Sequence, residues 1–328
     1  MIFYKKGFIV RNSDLLYEIM ATAKVAIMER GVDMHRFLRA IGFSEYTTKK
    51  SIGELLKMAE NPDGQYEVMI ETGEKIVELR KMAGKDIGIA WNGTSTGDGM
   101  MDLDYYYPYV LGQYNNIHED VAAERRYALN SFLGSCEDLR VGVSIIFHVQ
   151  NPMDIMEYYV NNKKLPKYTS VIFSALSLGG TVLLPIKMTA NDEKRKKQAL
   201  KRRTNLISAA RQGDENAMEA LTFEDMDTYA KISKRIVNED IFTIVESSFM
   251  PYGLESDMYS VIADIVAVQP VENNVTGEKI YILTLNYNDV LITLAINEMD
   301  LQGEPLAGRR FKGNIWLQGR IILPSKAK

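Results

Sequence analysis

The chain has 328 residues, 46% hydrophobic and 25% charged, with a formal net charge of −4. That balance excludes wholesale disorder, and the slight acidity excludes a global positive field for nucleic acid or an anionic membrane. A single cysteine, Cys136, excludes an intramolecular disulfide and a cysteine-rich zinc centre, and three histidines leave little for a histidine-based one.

Residues 1–33 place Leu15, Leu16, Ile19, Met20, Ala23 and Ile27 at helical spacing behind Ser13, which suits an N-cap. Two readings stand side by side there. One is a genuine amphipathic helix. The other is an extension upstream of a start at Met34, because Glu29-Arg30-Gly31 can be encoded by a purine-rich stretch like a bacterial ribosome-binding site. Arg11, Asp14 and Glu18 interrupt any secretory apolar core, and no run approaches the ~18–20 apolar residues of a membrane span. The expected address is the cytoplasm, with no membrane association.

From Met34 helices and strands alternate. His35 to Gly42 reads as a helix closed by glycine, and Ser51 as the cap of a second helix through Ala59. Ile87–Trp91 and Asp104–Val110 read as strands around the glycine-rich loop 92–99. Arg140–Gln150 is the clearest strand: Val141, Val143, Ile145, Phe147 and Val149 share one face, Ser144, His148 and Gln150 the other. Asn151-Pro152 then opens a helix. Tyr168–Leu176 and Thr181–Ile186 suggest a hairpin around Gly179-Gly180. Caps at Asn191, Asp214, Thr222 and Asn238 mark three or four successive helices. From Tyr259 the period returns to two, with strands at Tyr259–Val268, Glu278–Tyr287, Val290–Asn297 and Gly313–Leu323. The fold expected is α+β: residues 1–33 as a possible extension, a mixed α/β region over 34–190, a helical connector over 191–250, and a small OB-like β-barrel over 251–328.

No catalytic motif stands out. Gly303–Gly308 has the glycine spacing of a phosphate loop but lacks the Lys-Ser/Thr pair and leads into a strand. Cys136 precedes Glu137 and Asp138, whose charges disfavour a thiolate. His118, Glu119, Asp120 and Glu124 could supply metal ligands, but one imidazole plus carboxylates fits many solvated loops. His148 is a candidate base or a satisfied sheet-face histidine. Neither a catalytic set nor a metal or cofactor site is assigned.

Residues 191–212 hold eight basic and two acidic side chains, and residues 213–240 eight acidic and three basic. Mutual neutralisation across a helix–helix contact is the expectation, an external anionic partner the alternative. In the C-terminal segment Tyr281 and Trp316 alternate with Arg309, Arg310, Lys312 and Arg320. Aromatics interleaved with cations on a small barrel are what single-stranded nucleic-acid binding requires. Trp316 falls on the polar face of its strand, where domain packing would also bury it.

Five segments carry a resemblance: Met34–Ser44 (MHRFLRAIGFS), Arg140–Asn151 (RVGVSIIFHVQN), Ala209–Glu215 (AARQGDE), Phe249–Gly253 (FMPYG) and Gly308–Gly319 (GRRFKGNIWLQG). Together they resemble an uncharacterised bacterial family, domain of unknown function number 3881, from Met34 to about Leu323. The resemblance implies no activity, cofactor or catalytic residue. The reading that results is a non-enzymatic scaffold or interaction protein with an unidentified protein partner. The alternative is single-strand binding through the barrel.

Overall fold

A computed structural model describes residues 35–70, 72–96, 101–126, 131–142, 144–164, 168–186 and 190–324. The helix expected over residues 13–27 and the start at Met34 lie outside these residues.

The described chain enters through a 3₁₀ helix, Arg36–Ile41, closed by Gly42 at φ 90°. Its Cβ, were there one, would meet Asn273 Cβ at 2.9 Å, so the close approach adds to the left-handed backbone in selecting glycine. Helix α1 (Lys49–Met58) is capped by Thr48 rather than Ser51. Thr48 Oγ1 accepts the Ser51 N–H at 3.3 Å, which places Ser51 inside the first turn.

Four strands then form an antiparallel meander: β1 (Gly64–Met69), β2 (Lys75–Gly84), β3 (Ile87–Ser95) and β4 (Met101–Val110). The loop expected from Asn92 begins later, because Gly93, Thr94 and Ser95 continue the ladder to Leu103, Asp102 and Met101. One face of this sheet buries Trp91, Ile89 and Leu79 against Phe37, Leu38, Ile41 and Leu55 of the first two helices.

The second sheet has ten strands. β5 (Asn115–Arg126), β6 (Ser131–Glu137) and β7 (Ser144–Val149) lead to helix α2 (Pro152–Asn162), with Asn151 at its N-cap position and Pro152 at its start. Asn151 turns its side chain to β14 (Arg310–Ile322), accepting Ile321 N–H and donating to Ile321 O. β8 (Tyr168–Leu183) follows as one strand of 16 residues, not the expected hairpin. Gly180 pairs with Gly313 and Leu301 on its two sides, and the Phe311 ring lies 2.2 Å from where a Cβ of Gly180 would stand. The glycine pair makes room for that ring and does not turn the chain.

Helices α3 (Ala190–Arg211), α4 (Glu215–Ile236) and α5 (Ile241–Ile244) come next. The strands β9 (Ser248–Pro251), β10 (Met258–Glu272), β11 (Lys279–Tyr287), β12 (Val290–Asn297) and β13 (Leu301–Gln302) precede β14. The β11–β12 turn has Asn288 at φ 49° and Asp289 at φ 65°, the left-handed pair that a tight hairpin demands. β11, β12, β8, β14 and β10 pair in a closed ring, a five-stranded barrel. Its interior is apolar, with Phe173, Leu283, Leu294, Phe311, Ile315 and Leu317 among its fully buried residues. The barrel thus takes one strand from before the helical segment and four from after it.

Candidate functional site

Successive residues of β14 point alternately into and out of the barrel, so Trp316, Gln318 and Arg320 share the outer face. Gln318 is wholly buried and sits in a polar bridge. Its Nε2 donates to Pro108 O at 2.9 Å, and its Oε1 accepts from Gln150 Nε2 at 2.7 Å. Gln150 Nε2 also lies 2.9 Å from Ser174 Oγ and 3.0 Å from Val110 O, and Gln150 O accepts from the Tyr107 hydroxyl at 3.2 Å. The bridge ties β4 of the first sheet to β8 and β14 of the second.

Beside Trp316 opens a cavity of about 370 Å³. The 3₁₀ helix contributes Phe37 and the residue before it, His35; β4 contributes Tyr105 and Tyr107, and β7 contributes His148. Trp316 is 7% exposed and its Nε1 donates to Asp257 Oδ2 at 2.9 Å. Around it stand Phe37, stacked at 5.2 Å between centroids, His35 at 4.8 Å and His148 at 5.1 Å. Tyr107 meets His148 edge-on at 4.5 Å. Arg36, Arg126 and Glu255, all exposed, stand at the rim.

The two imidazoles are neutral across the physiological range. Burial, then the neighbouring Arg36, lowers His35 to about 4. Burial, then His35 and Arg126, lowers His148 to about 3. Among the described residues, buried His35 Nδ1, His148 Nε2 and the Tyr105 hydroxyl have no hydrogen-bond partner in the protein. A native interior leaves few such groups, and these three side chains all line one cavity.

A second cavity of about 330 Å³ lies along β14 at Arg320. There the Arg80 guanidinium sits 5.6 Å from the Tyr66 ring centroid and 5.5 Å from that of Tyr109. Its Nε donates to buried Glu78 at 2.7 Å and its Nη2 to Gln150 O. Those bonds commit Arg80 to the protein itself.

The six residues singled out on the barrel do not come together. Trp316 walls the first cavity and Arg320 the second. Arg310 is buried and donates to the carbonyls of Leu184, Phe242, Val245 and Glu246, tying the helical segment to the barrel. Lys312 Nζ lies 4.0 Å from the Phe242 ring centroid, Arg309 pairs with Glu304, and the Tyr281 hydroxyl donates to Glu298 at 2.9 Å. Cys136 is buried, and its thiol is pushed well up by burial and by Asp138 and Glu137. His118, Glu119 and Asp120 lie outside the described side chains. Among the described residues no group of three or more His, Cys, Asp and Glu is placed to hold a metal. No described helix is long and apolar enough to cross a membrane. The basic and acidic helices do neutralise each other in part: Arg202 pairs with Glu224 at 3.1 Å and Arg203 with Asp225 at 2.9 Å.

His148 stood out in sequence as a polar-face residue; His35 and Tyr105 did not. Their meeting depends on contacts between residues about 40 to 110 positions apart, and no local spacing encodes it. A family model described as "Domain of unknown function, E. rectale Gene description (DUF3881)" matches residues 38–319. No curated protein and no solved structure matches the chain.

Proposed function

The chain belongs to the DUF3881 family, a domain of unknown function, and on that premise we propose, from the geometry alone, that it is a cytoplasmic interaction protein that binds a small planar heteroaromatic molecule between His35, His148, Tyr105 and Trp316 without turning it over. One observation carries this: three buried polar atoms without protein partners line a single aromatic-walled cavity of about 370 Å³. A neutral imidazole or a phenol can donate or accept, so the matching ligand offers both, as the ring amides and amines of a nucleobase do. Its inserted part carries no negative charge, because an anion among these ring faces would lose its hydration uncompensated. Arg36, Arg126 and Glu255 at the rim suit a polar tail.

Binding rather than catalysis is supported by the same histidines. Bases with pKa values of about 4 and about 3 are far from the near-neutral value that efficient proton transfer needs.

We propose in addition that the barrel is OB-like. β10, β11 and β12 run as a meander, β14 returns beside β10, and β8 closes parallel to β12, which is OB connectivity with the last strand supplied from upstream. Oligonucleotides on OB-folds cross strands 2 and 3, here β11 and β12. Of the six barrel residues only Tyr281 lies there, so the cations do not flank it, and single-strand binding has the weaker support. The pocket is tested by titrating the protein with free nucleobases, nucleosides and aromatic amino acids while following tryptophan fluorescence. Saturable quenching that His148→Ala and Tyr105→Phe both abolish is expected; no saturable response from any of these compounds overturns the reading.

A further inference from the structure

The α3–α4 hairpin leaves one long face uncovered. Of the 22 residues of α4 only Ala217 is buried. A helix in a protein draws most of its stability from packing an apolar face, and α4 packs only its α3-facing side. At about 3.6 residues per turn, the face opposite Ala217 and Glu224 carries Thr222, Met226 and Ser233 along its centre, flanked by Glu219, Phe223 and Tyr229. Phe223 is 63% exposed, Met226 64% and Tyr229 75%.

The charges of α4 are ordered along its length. Residues 215–227 hold five acids and no base, and residues 228–236 three bases and no acid. The helix dipole favours such placement only within the first and last turns. Here the acids continue to Asp227, in the middle. Glu224, Asp225, Asp227, Lys231 and Arg235 have ion-pair partners within the chain, which leaves Glu219 toward one end and Lys234 toward the other. A second α4 packed antiparallel, with the two-fold axis at Met226, brings these two together. It places Glu219 beside the partner's Lys234 and Phe223 against the partner's Tyr229. Neither Glu219 nor Lys234 has an ion pair among the described residues. Near the axis, Asp225 and Asp227 are already neutralised by Arg203 and Lys231. A parallel pairing would instead set Glu219 against Glu219 and Lys234 against Lys234.

We propose that α4 is a homodimerisation helix and that its partner is a second copy of this chain, joined in an isologous antiparallel pair. The proposal is independent of the pocket. A face about 33 Å long and about 10 Å wide is below the roughly 800 Å² per partner of a stable complex, so the dimer is weak and concentration-dependent.

Sedimentation velocity of the full chain from about 1 to about 200 µM tests it. The weight-average sedimentation coefficient should rise from the monomer toward the dimer value. Met226→Lys, which opposes two cations at the axis, should leave a monomer throughout. Glu219→Lys and Lys234→Glu should each weaken association roughly tenfold, and their combination in one chain should restore it. These side chains are exposed, so circular dichroism and the thermal midpoint should stay as in the parent. A parent chain that is monomeric at every concentration overturns the proposal. So does a dimer unchanged by both Met226→Lys and Glu219→Lys.

Discussion

His35 and His148 are kept neutral by the packing that forms the pocket, and this couples stability to pH. In the unfolded chain both take up a proton near pH ~6.5, whereas folded they resist until about 4 and about 3. Between these limits the unfolded state binds more protons, so stability is full above the unfolded value and falls as pH drops. Each histidine contributes a slope approaching about 1.4 kcal/mol per pH unit. Urea unfolding between pH ~7 and ~5, above most carboxylate titration, should show that loss, and His148→Phe should reduce its slope by about half. A folded-state His148 proton resonance titrating near its unperturbed value would contradict the assignment. The Tyr105 hydroxyl makes a separate prediction. Since it is buried without a partner, Tyr105→Phe should stabilise the protein by about 1 kcal/mol while abolishing ligand quenching. Chemical denaturation and fluorescence titration of the same sample read both effects. A variant less stable than the parent would mean the hydroxyl is satisfied after all.

Elements whose residues alternate strictly were legible in sequence; those shaped by a distant neighbour were not. β11 and β12 follow the two-residue period and flank a turn whose residues announce it, Asn288-Asp289. β7 also follows it, yet both of its faces are covered, which is why polar His148 and Gln150 are buried along with apolar Phe147. β8 departs furthest. Gly179-Gly180 is a turn signal when read locally, and only the Phe311 ring, from a strand about 130 residues later, makes glycine a packing requirement. The two-residue period puts Trp316 on the outer face of its strand, but what lies over that face comes from the 3₁₀ helix and from β7, far away in sequence. Gly180→Ala should accordingly cost about 1–3 kcal/mol, as an overpacked core does, because the Cβ would stand 2.2 Å from Phe311 Cε2. Gly179→Ala, with nothing within 4 Å of its Cβ, should be near neutral. Equal costs at both positions, measured by urea denaturation, would show that backbone freedom rather than ring packing selects them.

At the scale of the molecule, the helical segment interrupts the barrel in sequence without interrupting it in space. β8 lies before residue 190 and its barrel neighbours β12 and β14 begin at residues 290 and 310, so the ring closes only through a long-range pairing. A piece beginning at Ser248 holds β10, β11, β12 and β14 but lacks the strand between β12 and β14. Two long ladders would stand open, with the apolar residues Leu294, Ile296, Ile315 and Leu317 exposed at their edges. Expressed alone, residues 248–328 should therefore show no cooperative thermal transition. A protease cut within α3 or α4 should have little effect on the thermal transition of the full chain. Among the described side chains of the two long helices only Ala217 is buried, and β8 and β14 remain paired on either side of the cut. The two fragments of a chain nicked between residues 190 and 236 should co-elute in size exclusion and separate only in denaturant. Fragments that part under native conditions, or a cooperative transition from 248–328 alone, would show that the C-terminal strands close without β8.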